Sequence, residues 1–232
     1  MFKNISLSQE EQSVILGGLL GDASLAKKNI IAFRHSTKQK EYVLWKHDLL
    51  KNISGEVKFC NVKAAGNIYE QIGFTVTSLK GKLNQFYAEL RKITTNDGVR
   101  KVVTPQWLSK LTPLSLAVWW MDDGCLSVHK GNRYDKLCTH GFSLRENGLL
   151  KQYLFETWGI DVDIKIEKQK YYFLRFNVSA LKKLISIIYP YVIQIPSMLY
   201  KVDLNYSNIV KLGWFDKIYT TIKQARSQHN TL

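Results

Sequence analysis

The sequence predicts an α+β fold built from two similar halves, each with the element order αββαββα. Two apolar, helix-like stretches end in the acids Asp22 and Asp123, and the same order of strands and helices follows each acid. Each half then ends with a proline close to a lysine, Lys101 or Lys201. Asp22 and Lys101 lie 79 positions apart, and Asp123 and Lys201 lie 78 apart. Element order, rather than side-chain identity, therefore indicates a divergent duplication of about 100 residues.

The helix that opens each half has its own start signal. Ser8 and Glu11 have the spacing of a capping box before the apolar run VILGGLL, which predicts a helix ending near Asp22. Thr112 as N-cap and Pro113 at the first helical position predict a second helix through LSLAVWWM. This second helix is expected to end at the sequence DDG, where the glycine is a stop signal.

The remaining elements follow in the same order in both halves. A strand, a polar turn and a strand come first, then an amphipathic helix, another strand pair and a further helix. These stretches are SLAKKNIIAFRHS, KEYVLWKHDLLKNI, VKFCNVKAAGNIYEQIGFTVTS and KGKLNQFYAELRKI in the first half, and GCLSVHKGNRYDKLCTHGFS, RENGLLKQYLFETWGI, VDIKIEKQKYYFLRFNVS and SALKKLISIIYPYV in the second. We place the halves at residues 1–107 and 108–232, joined by TPQWLSKLTP, with a last amphipathic helix at GWFDKIYTTIKQA.

Composition narrows the class of partner and the compartment. The 232 residues include 33 Lys and Arg against 19 Asp and Glu, a net charge of +14. Such an excess favours a polyanion, with nucleic acid preferred over a membrane surface. No apolar run approaches the roughly 20 residues of a membrane-spanning helix, and the N-terminus lacks the apolar core of a secretory signal. Three cysteines without a CxxC pattern indicate a reducing compartment, so we do not expect a secreted protein.

The two helices that end in acids resemble the motif helices of a known family. ILGGLLGDA, residues 15–23, and LAVWWMDDG, residues 116–124, resemble the two motif copies of LAGLIDADG homing endonucleases, and IPSMLYK is similar to a segment of the single-chain, two-motif branch. This resemblance implies that the motif helices pack side by side at a pseudo-two-fold axis and that antiparallel sheets form a saddle over double-stranded DNA. It also implies a monomer that makes a Mg²⁺-dependent double-strand break in a long recognition site, leaving short 3′ overhangs. Such proteins are encoded in mobile introns or inteins, so we expect an organelle (mitochondrion or chloroplast) or a bacterial or phage cytoplasm.

The resemblance assigns roles to the acids. Position by position, Asp22 and Asp123 match the catalytic, metal-binding acids, and Gly21 and Asp122 precede them in the expected metal site. Phosphodiester hydrolysis uses a metal to polarise the phosphoryl oxygen and to acidify a water molecule, and Mg²⁺ prefers carboxylate, carbonyl and water ligands. Acids at a helix C-terminus also oppose the helix dipole, which favours a functional reason for their presence.

The resemblance also assigns roles to two lysines. Lys201 matches the basic residue that this branch places near the second-half scissile phosphate, and Lys101 is its first-half counterpart by spacing. Both are expected to act catalytically by stabilising developing charge or by orienting the attacking water. Arg100 is the alternative to Lys101, because RKVVTP is one residue longer than the usual K-x-x-P. At the helix pair, Gly17 aligns with Val118, so we expect small residues on only one side.

The predicted strands carry long polar side chains, which the resemblance places in the major groove of DNA. Arg, Lys, Asn and Gln pair with purine edges, although many such side chains contact phosphates instead. The candidate DNA-binding residues are Lys27, Lys28, Arg34, His35, Lys38, Lys58, Asn61, Lys63 and Gln71 in the first half, and Ser127, His129, Lys130, Asn132, Arg133, Lys136, Lys165, Lys168, Lys170 and Arg175 in the second.

Three alternatives stay open at this point. One is a maturase that binds intron RNA on the same fold, and another is a DNA-binding protein without catalytic activity. Retention of both acids and both lysines favours cleavage over these two, although one protein can combine cleavage and maturase functions. The third is a zinc site formed by Cys125, His129, Cys138 and His140, whose spacing matches no established zinc pattern.

Overall fold

The computed structural model describes residues 7–26, 29–64, 66–77, 84–96, 100–129, 132–133 and 135–203. Its α-helices are α1 (Gln9–Leu20), α2 (Lys40–Leu50), α3 (Asn84–Thr94), α4 (Pro105–Leu108), α5 (Pro113–Asp123), α6 (Leu144–Trp158) and α7 (Val178–Val192). Its strands are β1 (Ser24–Ala26), β2 (Ile30–Ser36), β3 (Lys58–Ala64), β4 (Asn67–Thr77), β5 (Thr95–Asn96), β6 (Arg100–Lys101), β7 (Gly124–Cys125), β8 (Val128–His129), β9 (Asn132–Arg133), β10 (Asp135–Leu137), β11 (Val162–Glu167) and β12 (Tyr171–Phe176). The 3₁₀ helices include Thr37–Gln39 and Pro196–Lys201. The predicted last helix, GWFDKIYTTIKQA, lies outside the described residues.

The two main sheets confirm the predicted α+β duplication. One contains β1, β2, β4 and β3 in that spatial order, and the other contains β7, β10, β12 and β11 in the equivalent order. All pairings within both sheets are antiparallel. Helices α2 and α6 pack on one face of the first and second sheet respectively. The boundary between residues 107 and 108 stays a prediction.

Several small elements were not predicted. The join between the halves contains the short helix α4, which starts because Thr104 caps the amide of Trp107 and Pro105 fits the first helical turn. The second half also contains the β8–β9 hairpin, which is separate from its main sheet. Within the described residues, no helix has both the length and the apolar character needed to cross a bilayer.

Helices α1 and α5 form the centre of the molecule. Both predicted starts are confirmed, since Ser8 caps α1 in a capping box and Thr112 caps α5 in another. Apart from the first turn of each helix and the two acids that end α5, both helices are buried around their whole circumference, as expected for core helices. At Gly17 the two backbones touch, because a Cβ there would overlap the carbonyl oxygen of Ser115. Gly17 therefore packs directly against the backbone of α5, so this contact does not need a small residue at the aligned position, Val118.

Candidate functional site

Lys101 lies beside the C-terminal end of α1. Its Nζ donates hydrogen bonds to the carbonyl oxygens of Gly21 (2.8 Å) and Ala23 (3.2 Å), which are the neighbours of Asp22 on either side. Arg100 instead points away and forms an ion pair with a second-half glutamate, with its side chain 60% exposed. The structure therefore places Lys101, and not Arg100, at the first acid.

Lys201 makes the equivalent contacts beside the C-terminal end of α5. Its Nζ donates hydrogen bonds to the carbonyl oxygens of Gly124 (2.7 Å) and Asp122 (3.4 Å), which flank Asp123. Each predicted acid thus has one lysine bound to the carbonyl groups before and after it. Burial lowers the pKa of both lysines, and the charges of nearby acids partly oppose this effect. The two halves therefore contribute equivalent acid–lysine units to one central site.

Asp22 and Asp123 interact through their charges. Burial, followed by the negative charges of Asp22 and Asp122, raises the pKa of the Asp123 carboxyl to about 8. Burial and then the charge of Asp122 also raise the pKa of Asp22, whose side chain is 47% exposed. The charge of Asp22 thus disfavours the charged form of Asp123, and a hard divalent cation bound beside both carboxylates would favour the charged forms. The assignment of Asp22 and Asp123 as metal ligands stays a prediction.

The side chain of Asp122 is fully buried. Its Oδ1 accepts hydrogen bonds from the Tyr42 hydroxyl (2.8 Å) and from Lys46 Nζ (3.1 Å), both on α2 of the first half. Its Oδ2 accepts a hydrogen bond from the backbone amide of Asp22 (3.2 Å). A Cβ at Gly21 would overlap this carboxylate, so the absence of a side chain at Gly21 leaves the space that the Asp122 carboxylate occupies. Asp122 therefore links the end of α5 to the interior of the first half.

A buried lysine and a histidine complete this network. Lys46 Nζ lies 2.6 Å from His35 Nε2. Because an ammonium group only donates, Nε2 accepts and Nδ1 carries the proton, 3.2 Å from Gln39 Oε1. Burial and the Lys46 charge lower the pKa of His35 to about 4, so its ring is neutral near pH 7. Asp22, His35 and Asp122 each offer a ligand atom within 4.8 Å of the others, but the ammonium group of Lys46 already supplies the cation between His35 and Asp122.

The position of His35 corrects its predicted role. The sequence predicts a DNA-facing side chain, but the residue is only 5% exposed and lies on the core side of β2 with Phe33. Sequence reasoning also missed Tyr42 and Lys46. A signal was available, because Tyr42, Lys46 and Leu50 have the i, i+4, i+8 spacing of one helix face, and a lysine within an apolar stripe needs a buried partner.

The open face of the first sheet carries several predicted DNA-binding side chains. Arg34 and Lys58 are exposed there and flank Gly73, which pairs with both across the sheet. Gln71 is half-buried on the same face, two residues before Gly73 in β4. Lys38 is exposed in the 3₁₀ helix that follows β2. Since every second residue of a strand shares a face, Arg34, Lys58 and Gln71 form one polar surface.

Asn61 and Lys63 are exposed but lie on the opposite face of β3. Their register places them with Phe59, which pairs with the buried Ile72. The sequence set therefore combined the two faces of this strand. Only the face of β3 that carries Lys58 is continuous with the face of β2 that carries Arg34.

The open face of the second sheet is also polar. Lys136 and Arg175 pair across β10 and β12, and Lys165 follows on β11. Together with Ser127 and Glu167, these side chains line a cleft on this face. Lys136 Nζ lies 3.1 Å from Glu167 Oε2, so part of its charge is already paired. Two further predicted residues are exposed in the turn that joins β11 to β12: Lys168 and Lys170.

Some predicted DNA-binding side chains lie outside the described part of the structure. These are Lys27, Lys28 and Lys130, together with the side chains of His129, Asn132 and Arg133. Their assignment stays a prediction.

The zinc alternative gains no support from the described side chains. Cys125 and Cys138 are half-buried free thiols, and His140 Nε2 lies 3.5 Å from a carboxylate oxygen of Glu167. The cluster of potential metal ligands found among the described residues is the one at Asp22, and it includes neither cysteine.

Comparison with known proteins places these features in a family. A model of the LAGLIDADG DNA endonuclease family matches residues 12–184. Protein RecA of Mycolicibacterium chitae is 32% identical over 211 residues, covering 84% of this chain and 47% of the relative. Cytochrome b mRNA maturase bI2 of Saccharomyces cerevisiae is 30% identical over 206 residues, covering 82% of this chain and 46% of the maturase. The chain therefore spans about half the length of these curated relatives.

A solved structure shares the fold. The homing endonuclease I-WcaI, bound to its DNA recognition sequence, superposes with a TM-score of 0.73 at 21% sequence identity, covering 86% of this chain and 88% of the other. The family match covers both motif helices and both sheets, and the shared fold agrees with the duplicated architecture. The chain therefore belongs to the LAGLIDADG DNA endonuclease family.

Proposed function

We propose that this chain is a site-specific DNA endonuclease that cuts both strands of a long recognition site, one strand per half, and leaves short 3′ overhangs. The observation that carries the proposal is the pair of equivalent units at the ends of α1 and α5. In each unit an acid, Asp22 or Asp123, lies between two carbonyl groups that bind a lysine, Lys101 or Lys201. Two such units beside each other match a reaction that breaks two phosphodiester bonds.

Asp22 and Asp123 would hold Mg²⁺, which when bound supplies Lewis acidity at the scissile phosphate. The lysines hold positive charge beside the acids, where it can stabilise charge that develops on the phosphate. Asp122 does not serve in the same way, because its carboxylate is already bound by Tyr42 and Lys46. Its part is to position the backbone amide of Asp22.

DNA binding is proposed for the open faces of the two sheets. Arg34 and Lys58 in the first half and Lys165 and Arg175 in the second supply positive groups at phosphate or base edges. The net charge of +14 favours association with a polyanion. We propose that the protein acts as a monomer, because both acid–lysine units are in one chain.

The test uses the DNA that flanks the gene, rejoined as if the gene were absent and placed in a supercoiled plasmid. We expect wild-type protein with Mg²⁺ to give a linear product with 3′ overhangs, and chelation with EDTA to abolish it. Asp22→Asn and Asp123→Asn are matched variants that remove one negative charge each and keep the side-chain shape. A linear product of equal yield from either variant, or from wild type in EDTA, would contradict the proposal.

A second candidate function is that of an intron maturase. The observation that favours it is the 30% identity to cytochrome b mRNA maturase bI2. Its test is binding and splicing of the host intron RNA by purified protein, measured beside the plasmid assay. RNA binding with faster splicing and no DNA cleavage would select the maturase, and cleavage without any effect on the RNA would exclude it.

A further inference from the structure

The segment that carries Lys101 is hydrogen bonded to the other half of the molecule. Two residues after Lys101, the backbone amide of Val103 donates a 3.0 Å hydrogen bond to Oε1 of Glu146, which lies in the first turn of α6. The other carboxylate oxygen, Oε2, lies 3.4 Å from Arg100 Nη2. Glu146 therefore binds the residues on both sides of Lys101, although it belongs to the second half.

The segment that carries Lys201 is bound in the reverse direction. Lys201 is the last residue of the 3₁₀ helix Pro196–Lys201, and the amide of Ser197 in that helix donates a 2.9 Å hydrogen bond to Glu41 Oε2. Glu41 lies in the first turn of α2, in the first half. Gln39, just before α2, adds a 3.2 Å hydrogen bond from its Nε2 to the hydroxyl of Tyr200, the direct neighbour of Lys201.

The two glutamates are equivalent under the repeat, although their amide donors are not, since Val103 follows Lys101 by two residues and Ser197 precedes Lys201 by four. Helices α2 and α6 occupy the same place in their halves, since each follows the first strand pair and packs on its own sheet. Each carries a first-turn glutamate that accepts a backbone amide from the opposite lysine segment. Burial raises the pKa of Glu146, but hydrogen bonds from Ser143 and then from the amide of Val103 bring it below its usual range. Hydrogen bonding with Ser197 lowers the pKa of Glu41, and burial opposes this effect. The two carboxylates are therefore charged near neutral pH, which strengthens both contacts.

We propose that Glu146 and Glu41 are reciprocal positioning residues, each holding the lysine segment of the opposite half's acid–lysine unit. Neither unit is then complete within its own half, and docking of α2 and α6 against the opposite segments assembles both. This inference rests on the proposed function insofar as the lysines act in cleavage. It goes beyond that function because the lysine that acts on each DNA strand would depend on a positioning residue in the other half of the protein.

The two contacts differ in strength. The Glu146 side chain is 10% exposed and makes further hydrogen bonds with Ser143, whereas Glu41 is exposed. A hydrogen bond to a buried charged group is worth more than one in solvent. We therefore expect a larger effect at Lys101 than at Lys201.

The first experiment measures nicking of each strand separately, with the plasmid target end-labelled on one strand or the other. Glu146→Ala should slow cleavage of one strand about tenfold and leave the other within about twofold. Glu41→Ala should slow the opposite strand, by about threefold. Glu146→Gln and Glu41→Gln retain an acceptor oxygen and should restore most of the rate. Equal slowing of both strands by either alanine variant, or no slowing by Glu146→Ala, would overturn the proposal.

A matched control separates positioning from helix stability. Ser143→Ala removes the N-cap hydroxyl of α6 and its hydrogen bond to Glu146 Oε2, but keeps the backbone amide at position 143 on Oε2 and the amide of Val103 on Oε1. It should lower the melting temperature without changing the ratio of the two strand rates. A change in that ratio as large as the one caused by Glu146→Ala would mean that helix stability, rather than the contact to Val103, controls the site.

The second experiment needs no cleavage, so it distinguishes failure of this inference from failure of the proposed function. Free lysine amines are acetylated with limiting acetic anhydride, and the extent at Lys101 and Lys201 is read by mass spectrometry. Glu146→Ala should raise labelling of Lys101 several-fold and leave Lys201 unchanged, and Glu41→Ala should do the reverse. Labelling that rises equally at both lysines, or at neither, would refute reciprocal positioning even if wild-type protein cuts DNA.

Discussion

The buried ion pair between Lys46 and Asp122 is expected to control the stability of the fold at the centre of the site. Both side chains are completely inaccessible, and Lys46 Nζ lies 3.1 Å from Asp122 Oδ1. Replacement of Lys46 by Met keeps the apolar stem of the side chain and leaves the Asp122 carboxylate buried with no cation at that position. Removal of one partner of a buried ion pair costs about 3–5 kcal/mol. Against a total stability of about 5–15 kcal/mol, this is a severe loss.

The assay is reversible urea unfolding of Lys46→Met, Asp122→Asn and the double variant. We expect the free energy of unfolding to fall by about 3–5 kcal/mol in Lys46→Met. The double variant should recover most of this loss, because it buries no unpaired charge and its Asn still accepts a hydrogen bond from Tyr42. A 1 kcal/mol change shifts the melting temperature of a chain this size by about 2–4 °C, so thermal melts should resolve the same difference.

The control is Lys51→Met, at the end of the same helix. Lys51 is 62% exposed and pairs with Asp48 on the surface, so this change should alter stability by less than about 0.5 kcal/mol. If the double variant is as unstable as Lys46→Met, the loss arises from packing around Lys46 and not from the unpaired acid. If Lys46→Met is as stable as the control, the buried ion pair does not stabilise the site.

Three further predictions concern cleavage, binding and helix contact. Asp123→Asn should reduce the cleavage rate by at least about 100-fold while DNA affinity measured by gel shift changes by less than about threefold; cutting at the wild-type rate would exclude Asp123 as the metal ligand. The double variant Arg34→Gln/Lys58→Gln should weaken DNA binding and reduce the slope of log Kd against log salt by about 1–2, since up to two phosphate contacts are lost; an unchanged slope would show that neither side chain contacts phosphate. Gly17→Val should lower the free energy of unfolding by at least about 1–3 kcal/mol, because its side chain overlaps the Ser115 backbone; a melting temperature equal to wild type would show that α1 and α5 can separate at no cost.

Local signals were sufficient to predict the two central helices and the strands of the main sheets. The capping boxes at Ser8 and Thr112 fix where α1 and α5 begin, because the cap and the third helical residue are close in sequence. The repeated order of elements then implied two equivalent sheets, which have the same spatial strand order. The family resemblance selected Lys201 and the spacing of the repeat selected Lys101, and both lie at the carbonyl groups that flank the acids.

What tertiary structure decided are the contacts between residues distant in sequence. Asp122 and Asp123 are adjacent and chemically identical, yet one enters the first half and meets Lys46, while the other remains at the central site. The direction of a side chain on a helix is local, but its partner depends on how α5 packs against α2. The same limit applies on β3, where strand register rather than residue type separates Lys58 from Asn61. The sequence by itself thus determined which groups the protein has, and packing between the halves determined which of them meet.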